Sequence, residues 1–241
     1  TQGWINTMDS TSNVRGRAYV TATVSGACNT LTTSGNCKVA KFVGPGTFCV
    51  SAAATCAANN KVDYFVVAGG GSAGGYYGAG GAGGFRTGAN YSIPAGTYTI
   101  TVGAGGAGGE SGNVDGADDG SNSSIGSLIV SHGGGGGGGY GDNSTKCEGH
   151  DGGSGGGGSS GLGTGFAGGS TIALNPAQVT GEVTTVQGFV GGDGTGPTLG
   201  AYTGGGGGEA AVIIFIVWTT ALCVSFADSI SRFKTMGAPH K

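Results

Sequence analysis

Charge is scarce in this chain of 241 residues: Asp, Glu, Lys and Arg make up only 10% of it, against about a quarter in ordinary globular domains. The net charge is −3 with no basic cluster, which removes the electrostatic footprint of a nucleic-acid binder. With only 5 prolines, a collagen-type triple helix is excluded as well. No amphipathic helix of convincing length can be read anywhere, because apolar residues do not recur at helical spacing. The three histidines, His132, His150 and His240, stand in no Ser/His/Asp or Cys/His arrangement. The chain therefore reads as a non-enzyme, with no catalytic residue and no cofactor expected.

What the chain has instead is glycine. There are 60 glycines, and 53 of them fall between Gly69 and Gly208, including the unbroken run Gly133 to Gly139. Glycine loses more backbone entropy on ordering than any other residue and brings no side chain to bury, so such a stretch is either a flexible linker or is held by its backbone. Apolar and β-branched clusters interleaved with the glycines, SIPAGTYTITV at 92–102, SIGSLIVS at 124–131 and GFAGGSTIAL at 165–174, argue against a linker. The ordered form that fits is a set of extended, three-residue-per-turn polyglycine helices whose N–H and C=O groups are satisfied by neighbours. Spacing of three in Ala79-Gly80-Gly81-Ala82-Gly83-Gly84 and Ala104-Gly105-Gly106-Ala107-Gly108-Gly109 suits that form.

The expected fold class is all-β: a small N-terminal β module over residues 1–61, a glycine-rich domain of packed polyglycine-type helices and short strands over 62–217, and a C-terminal tail or assembly segment over 218–241. Candidate strands in the first part are Arg17–Val24, Cys37–Val43, Thr47–Ala52 and Val62–Ala68, separated by turn signals such as Gly44-Pro45-Gly46. The uncharged run from Ala210 to Ala227 is just long enough for a membrane anchor. Its β-branched core favours one or two buried strands instead, which must pair within their own sheet or with another subunit.

Six cysteines include four in the first 60 residues. Cys28 with Cys37 and Cys49 with Cys56 could each close a short disulfide loop, one of the connectivities that four cysteines allow, and an extracellular, oxidising setting follows from that reading. Asn90, Asn122 and Asn143 begin glycosylation sequons. Gly69, Gly71 and Gly74 after an apolar strand satisfy G-x-G-x-x-G, but no helix follows to face a phosphate, so nucleotide binding is not expected. Cys147, Glu148, His150 and Asp151, and separately Asn113, Asp115, Asp118, Asp119 and Asn122, gather metal-ligand types, yet solvated polar loops are the simpler reading and no metal site is expected.

The order of segments resembles the glycine-rich domains of bacteriophage tail-fibre and adhesin proteins and of related viral and metagenomic glycine-rich proteins. The residues that carry the resemblance are VDYFVVAGGG at 62–71, GGFRTG at 83–88, TVGAGGAGG at 101–109, FVGPGTFCV at 42–50 and the closing strand near 211–217. The resemblance implies packed polyglycine helices with variable loops at one end, where adhesins contact a host surface. Surface-contact candidates in the inter-glycine loops are Tyr76, Tyr77, Tyr140, Asp142, Asn143 and Tyr202, since exposed aromatics give contact area at low entropic cost. The expected function is structural and adhesive, of tail-fibre type, extracellular or virion-associated. Its partners are other copies in a homo-oligomer and a cell-surface glycan or protein receptor. The alternative is a subunit of a self-polymerising extracellular fibril joined by strand exchange, or a C-terminally anchored surface protein.

Overall fold

The computed structural model describes residues 20–34, 37–52, 60–74, 78–108, 117–139, 147–161, 164–177, 179–182, 184–194 and 211–217. Of Ser34, Cys37, Ser160, Thr164 and residues 211–217 only the backbone is described. Twelve strands follow one another among the described residues: β1 (Thr21–Val24), β2 (Thr30–Ser34), β3 (Cys37–Phe42), β4 (Gly46–Ala52), β5 (Lys61–Val67), β6 (Phe85–Ser92), β7 (Gly96–Thr101), β8 (Ser123–Ile125), β9 (Ile129–Ser131), β10 (Ser160–Gly161), β11 (Thr164–Gly165) and β12 (Ala211–Val217). Apart from Cys147, which is helical, the described residues are strands or segments that belong to neither helix nor strand.

Ten of these strands form two five-stranded antiparallel sheets, ordered β1-β4-β7-β8-β9 and β2-β3-β12-β5-β6. Alternation sets their faces. Along β5, Val62, Tyr64 and Val66 are buried while Lys61, Asp63, Phe65 and Val67 are half-buried, as expected of a strand with one face on a core. Phe48, Val50, Ile100, Ile125 and Ile129 from the first sheet meet Ala40, Phe42, Val62, Tyr64 and Val66 from the second in one cluster. The rings of Phe42 and Phe48 close it edge to face, 6.5 Å apart and at 89°. The expected boundary at residue 61 does not separate the sheets, since β4 pairs with β7 and β3 pairs with β12. Within the apolar run near the C-terminus, Ala211–Val217 is strand, as its β-branched composition requires. The edge strand β2 and the strand β6 over GGFRTG were not among the expected strands. Both are poor in the aliphatic residues that mark strands.

The glycine-rich segments continue directly from the strands. Residues 69–74 extend β5, 78–84 return to β6, 103–108 extend β7, 117–122 return to β8 and 132–139 extend β9; 147–152, 153–159, 165–171 and 187–194 complete a bundle. The hydrogen bonds run between segments. Gly134 and Gly137 donate to the carbonyls of Gly69 and Ser72, each at 2.9 Å, and Gly135 and Gly138 to those of Ser154 and Gly157, each at 2.9 Å. Gly133 and Gly136 donate to the side-chain oxygens of Asn122 and Asp119, at 2.9 and 2.8 Å. The partner thus changes with a period of three.

Close approach shows the same period. A Cβ on Gly133 or Gly136 would land on a carbonyl oxygen of residues 117–122, on Gly134 or Gly137 on one of residues 78–84, and on Gly135 or Gly138 on one of residues 147–152. The central segment is enclosed by backbone on every side, which only glycine permits. Gly108 stands apart, with nothing within 4 Å of its missing Cβ. Gly136→Ala is therefore expected to cost about 1–3 kcal/mol or more, as overpacking does, and Gly108→Ala to be neutral or to stabilise by about 0.4–1 kcal/mol through the unfolded chain. Urea denaturation of the two variants measures the contrast.

Candidate functional site: the rim of the glycine bundle

The bundle has two ends. Because 69–74, 103–108, 132–139, 153–159 and 187–194 run away from the sheets and the described segments between them run back, each outgoing segment ends at the end remote from the sandwich. Hydrogen bonds tie that end into one rim: Gly74 N to Gly78 O at 2.8 Å, Gly78 N to Gly138 O at 3.1 Å, Gly138 N to Gly157 O at 2.9 Å, Ser159 N to Cys147 O at 2.8 Å, Phe166 N to Ser159 O at 3.0 Å and Gly194 N to Phe166 O at 2.7 Å. Ala117 N joins it through Gly137 O at 3.0 Å. Ser159, itself buried, donates through Oγ to the Gly139 and Cys147 carbonyls and locks the corner where 132–139 ends and 147–152 begins.

Tyr76, Tyr77, Tyr140, Asp142, Asn143 and Tyr202 lie outside the described residues. The residues that bound their segments are on the rim: Gly74 and Gly78 flank 75–77, Gly139 and Cys147 flank 140–146, and Gly194 precedes 195–210. Asn113 and Asp115 are also outside the described residues.

The other sequence candidates are occupied with structure. The amides of Gly69, Gly71 and Gly74 donate to Ser121, Gly81 and Gly78 carbonyls, so the G-x-G-x-x-G turn presents no phosphate cradle. Cys147 is fully buried, His150 Nδ1 lies 2.9 Å from Asp119 Oδ1, and Asp151 Oδ1 accepts from Ser170 N at 2.6 Å. Asp119, Asn122, Asp151 and Asp193 all accept backbone amides of glycine-rich segments, standing in for a neighbouring carbonyl at the bundle's edge. Asn122 thus has a structural task whatever its sequon carries. Asn90 is exposed on β6 with φ +57°, its amide donating to Asp63 Oδ1 at 2.7 Å, and Asn143 lies outside the described residues.

The expected disulfide loops are corrected. Cys28 and Cys49 are free thiols. Cys28 is exposed on the turn after β1, where it adopts φ +62°. Cys49 sits within β4, opposite Thr23 and Thr97, and its sulfur accepts from Thr97 Oγ1 at 3.6 Å. Sheet pairing rather than loop length decides where these thiols stand. Cys37 lies at the start of β3, opposite Ser34, and Cys56 is outside the described residues.

The junction between sandwich and bundle holds a polar cluster whose partners the sequence does not announce. Arg86 of GGFRTG is fully buried, donating from Nε to Glu182 Oε1 at 2.6 Å and from Nη2 to Oε2 at 2.7 Å. Its Nη1 reaches the Val130 and Pro176 carbonyls at 3.1 and 3.0 Å. The pair straps residues 179–182 and 184–187 along the outer edge of β6, where Phe85 N donates to Gln187 O, Thr87 N to Thr184 Oγ1 and Ala89 N to Gly181 O. An edge that would otherwise invite pairing is thereby covered. Only the isolated arginine in a low-charge tract hints at this from sequence, because Glu182 is 96 residues away.

Burial pushes the Tyr64 phenol up, with the Glu182 charge adding to the effect. Burial pulls the His132 imidazole below its usual 6.5, and the Arg86 charge lowers it further. Sequence reasoning also passed over exposed apolar side chains in and just after this strap: Phe189 and Val190 are 79% and 70% exposed, and Val186 is exposed too.

These features define an all-β class of protein in which a two-sheet sandwich carries a glycine bundle. The sequence matches the glycine-rich domain family over residues 43–219, and the chain belongs to that family. No curated protein matches the chain.

Glu182→Ala would leave the buried guanidinium without its carboxylate and is expected to cost about 3–5 kcal/mol in urea denaturation. His132 contributes stability that is fully present above its unfolded value of 6.5 and is lost as pH falls through its depressed folded value. Melting temperature is thus expected to fall on acidification below about 6.5, and more steeply in the native chain than in His132→Gln.

Proposed function

We propose that this chain is a non-enzymatic structural and adhesive protein of tail-fibre type, extracellular or virion-associated. In this reading the glycine segments are polyglycine-type helices of three residues per turn. The period of three in both hydrogen-bond partner and close approach supports it, since a threefold rod repeats its environment every third residue. The bundle then acts as a rigid platform and the rim as the surface that meets a cell-surface glycan or protein receptor.

One observation carries the reading. The described residues that flank the contact candidates, Gly74 and Gly78, Gly139 and Cys147, and Gly194, belong to a single hydrogen-bonded rim, while the sandwich occupies the opposite end. A scaffold that gathers otherwise unrelated loops at one pole has the geometry of a recognition surface, where rigid framework and variable loops divide the work. The glycine segments themselves have no side chains with which to discriminate a ligand.

Tyr76→Ala, Tyr77→Ala and Tyr140→Ala, combined in one chain, are expected to abolish adhesion to the host surface while leaving the melting temperature within about 2 °C, as surface changes away from the core do. Adhesion that persists in a folded triple variant, measured by retention of labelled protein on cells, would reject the rim as the contact surface.

A further inference from the structure

β12 differs from every other strand of the sandwich in how the chain reaches it. β6 follows directly from residues 78–84 and β8 from 117–122, while β5, β7 and β9 feed directly into the bundle. These strands are fixed where their segments are fixed. β12 is approached from Gly194 on the far rim, across residues 195–210.

Its place in the sheet is nonetheless central. β12 pairs with β3 from Val212↔Phe42 to Val217↔Cys37 and with β5 from Ala211↔Val67 to Phe215↔Asp63. The hairpins β2-β3 and β5-β6 have no pairing to one another within that sheet order. Without β12 the sheet is two hairpins facing a slot one strand wide, with unpaired N–H and C=O groups on both sides. The run AVIIFIV would in turn be an aggregation hazard outside a slot.

Reach is larger than the chain's own sheet requires. The bundle is about 20 Å deep, taking a six-residue segment at about 3.1 Å per residue, whereas sixteen residues can stretch to about 55 Å. The same strand can therefore enter the equivalent slot of an adjacent copy and find identical partners there, so an exchanged and an unexchanged β12 differ mainly in linker entropy.

We propose that β12 is an exchangeable strand, and that copies of this chain join by placing β12 of one copy between β3 and β5 of the next. The inference rests on the structural reading above and adds self-assembly, its joint and its partner, a second copy of this chain. It is a case of strand addition in which backbone pairing supplies affinity and a fixed register supplies specificity.

Register partners provide the test. Lys41 is exposed and pairs with Ile213. In the full-length Lys41→Cys/Ile213→Cys chain, exchange predicts that oxidation yields a covalent ladder on a non-reducing gel, beyond any seen with either single variant. Mixed and refolded Lys41→Cys and Ile213→Cys chains carrying different mass tags are then expected to form tagged heterodimers. A double variant that stays a cross-linked monomer, with no heterodimer from the mixed chains, overturns the proposal. If that pair impairs folding, Asp63→Cys with Phe215→Cys, also register partners, reads the same two outcomes. Adhesion that survives without a ladder sinks only the exchange, and a ladder without rim-dependent adhesion sinks only the adhesive reading.

Discussion

Backbone satisfaction is the constraint on which this molecule depends. A segment made of glycine has donors and acceptors at every residue and nothing else to offer, and within one extended segment these groups cannot reach each other. They must be met by other segments, which must come closer than any side chain allows. The central run Gly133 to Gly139 shows the consequence, with amides turned in succession toward 117–122, 69–74 and 153–159, and close contacts falling in succession on 117–122, 78–84 and 147–152. Stability in the bundle therefore comes from hydrogen bonds made in a buried, close-packed setting. In the sandwich it comes from ordinary apolar burial around Phe42, Phe48, Tyr64 and Ile100.

The two halves cooperate because strands and glycine segments are continuous. The sandwich fixes where β5, β6, β7, β8 and β9 end, and so fixes the spacing and direction of the segments that continue them. The buried Arg86–Glu182 pair adds a tie between the last segments and β6, whose edge the intervening residues cover. At the bundle's flanks Asp119, Asn122, Asp151 and Asp193 supply the acceptor that a missing neighbour would have given. Few charges are needed in such a protein, and several of those present complete the backbone network rather than serve the surface.

Much of this was legible in the amino acids. Glycine at this density required either disorder or backbone-mediated order, and the β-branched clusters marked β3, β4, β5, β7 and the apolar β12. That Gly74, Gly78, Gly139, Cys147 and Gly194 share one rim followed less directly, since it depends on the alternating direction of segments. Local reasoning failed for the thiols. Cys28 and Cys37 are close in sequence, yet Cys28 lies on the turn after β1 and Cys37 opens β3, where strand register and not loop length places the chain. It also missed the strap over β6, because Glu182 and Gln187 look like ordinary polar residues until they are set beside Arg86 and His132.

By itself the sequence determined the class: all-β, without helical periodicity, and dominated by residues whose only chemistry is the peptide group. That much follows from composition and period, which are local properties. The tertiary structure alone decided which segments neighbour one another, that the strands before and after residue 61 share both sheets, that β12 lies between β3 and β5, and that a lone arginine is buried on a glutamate. Glycine carries no side chain to encode such choices, so partner identity is set where the flanking strands pair and is passed along the chain into the bundle.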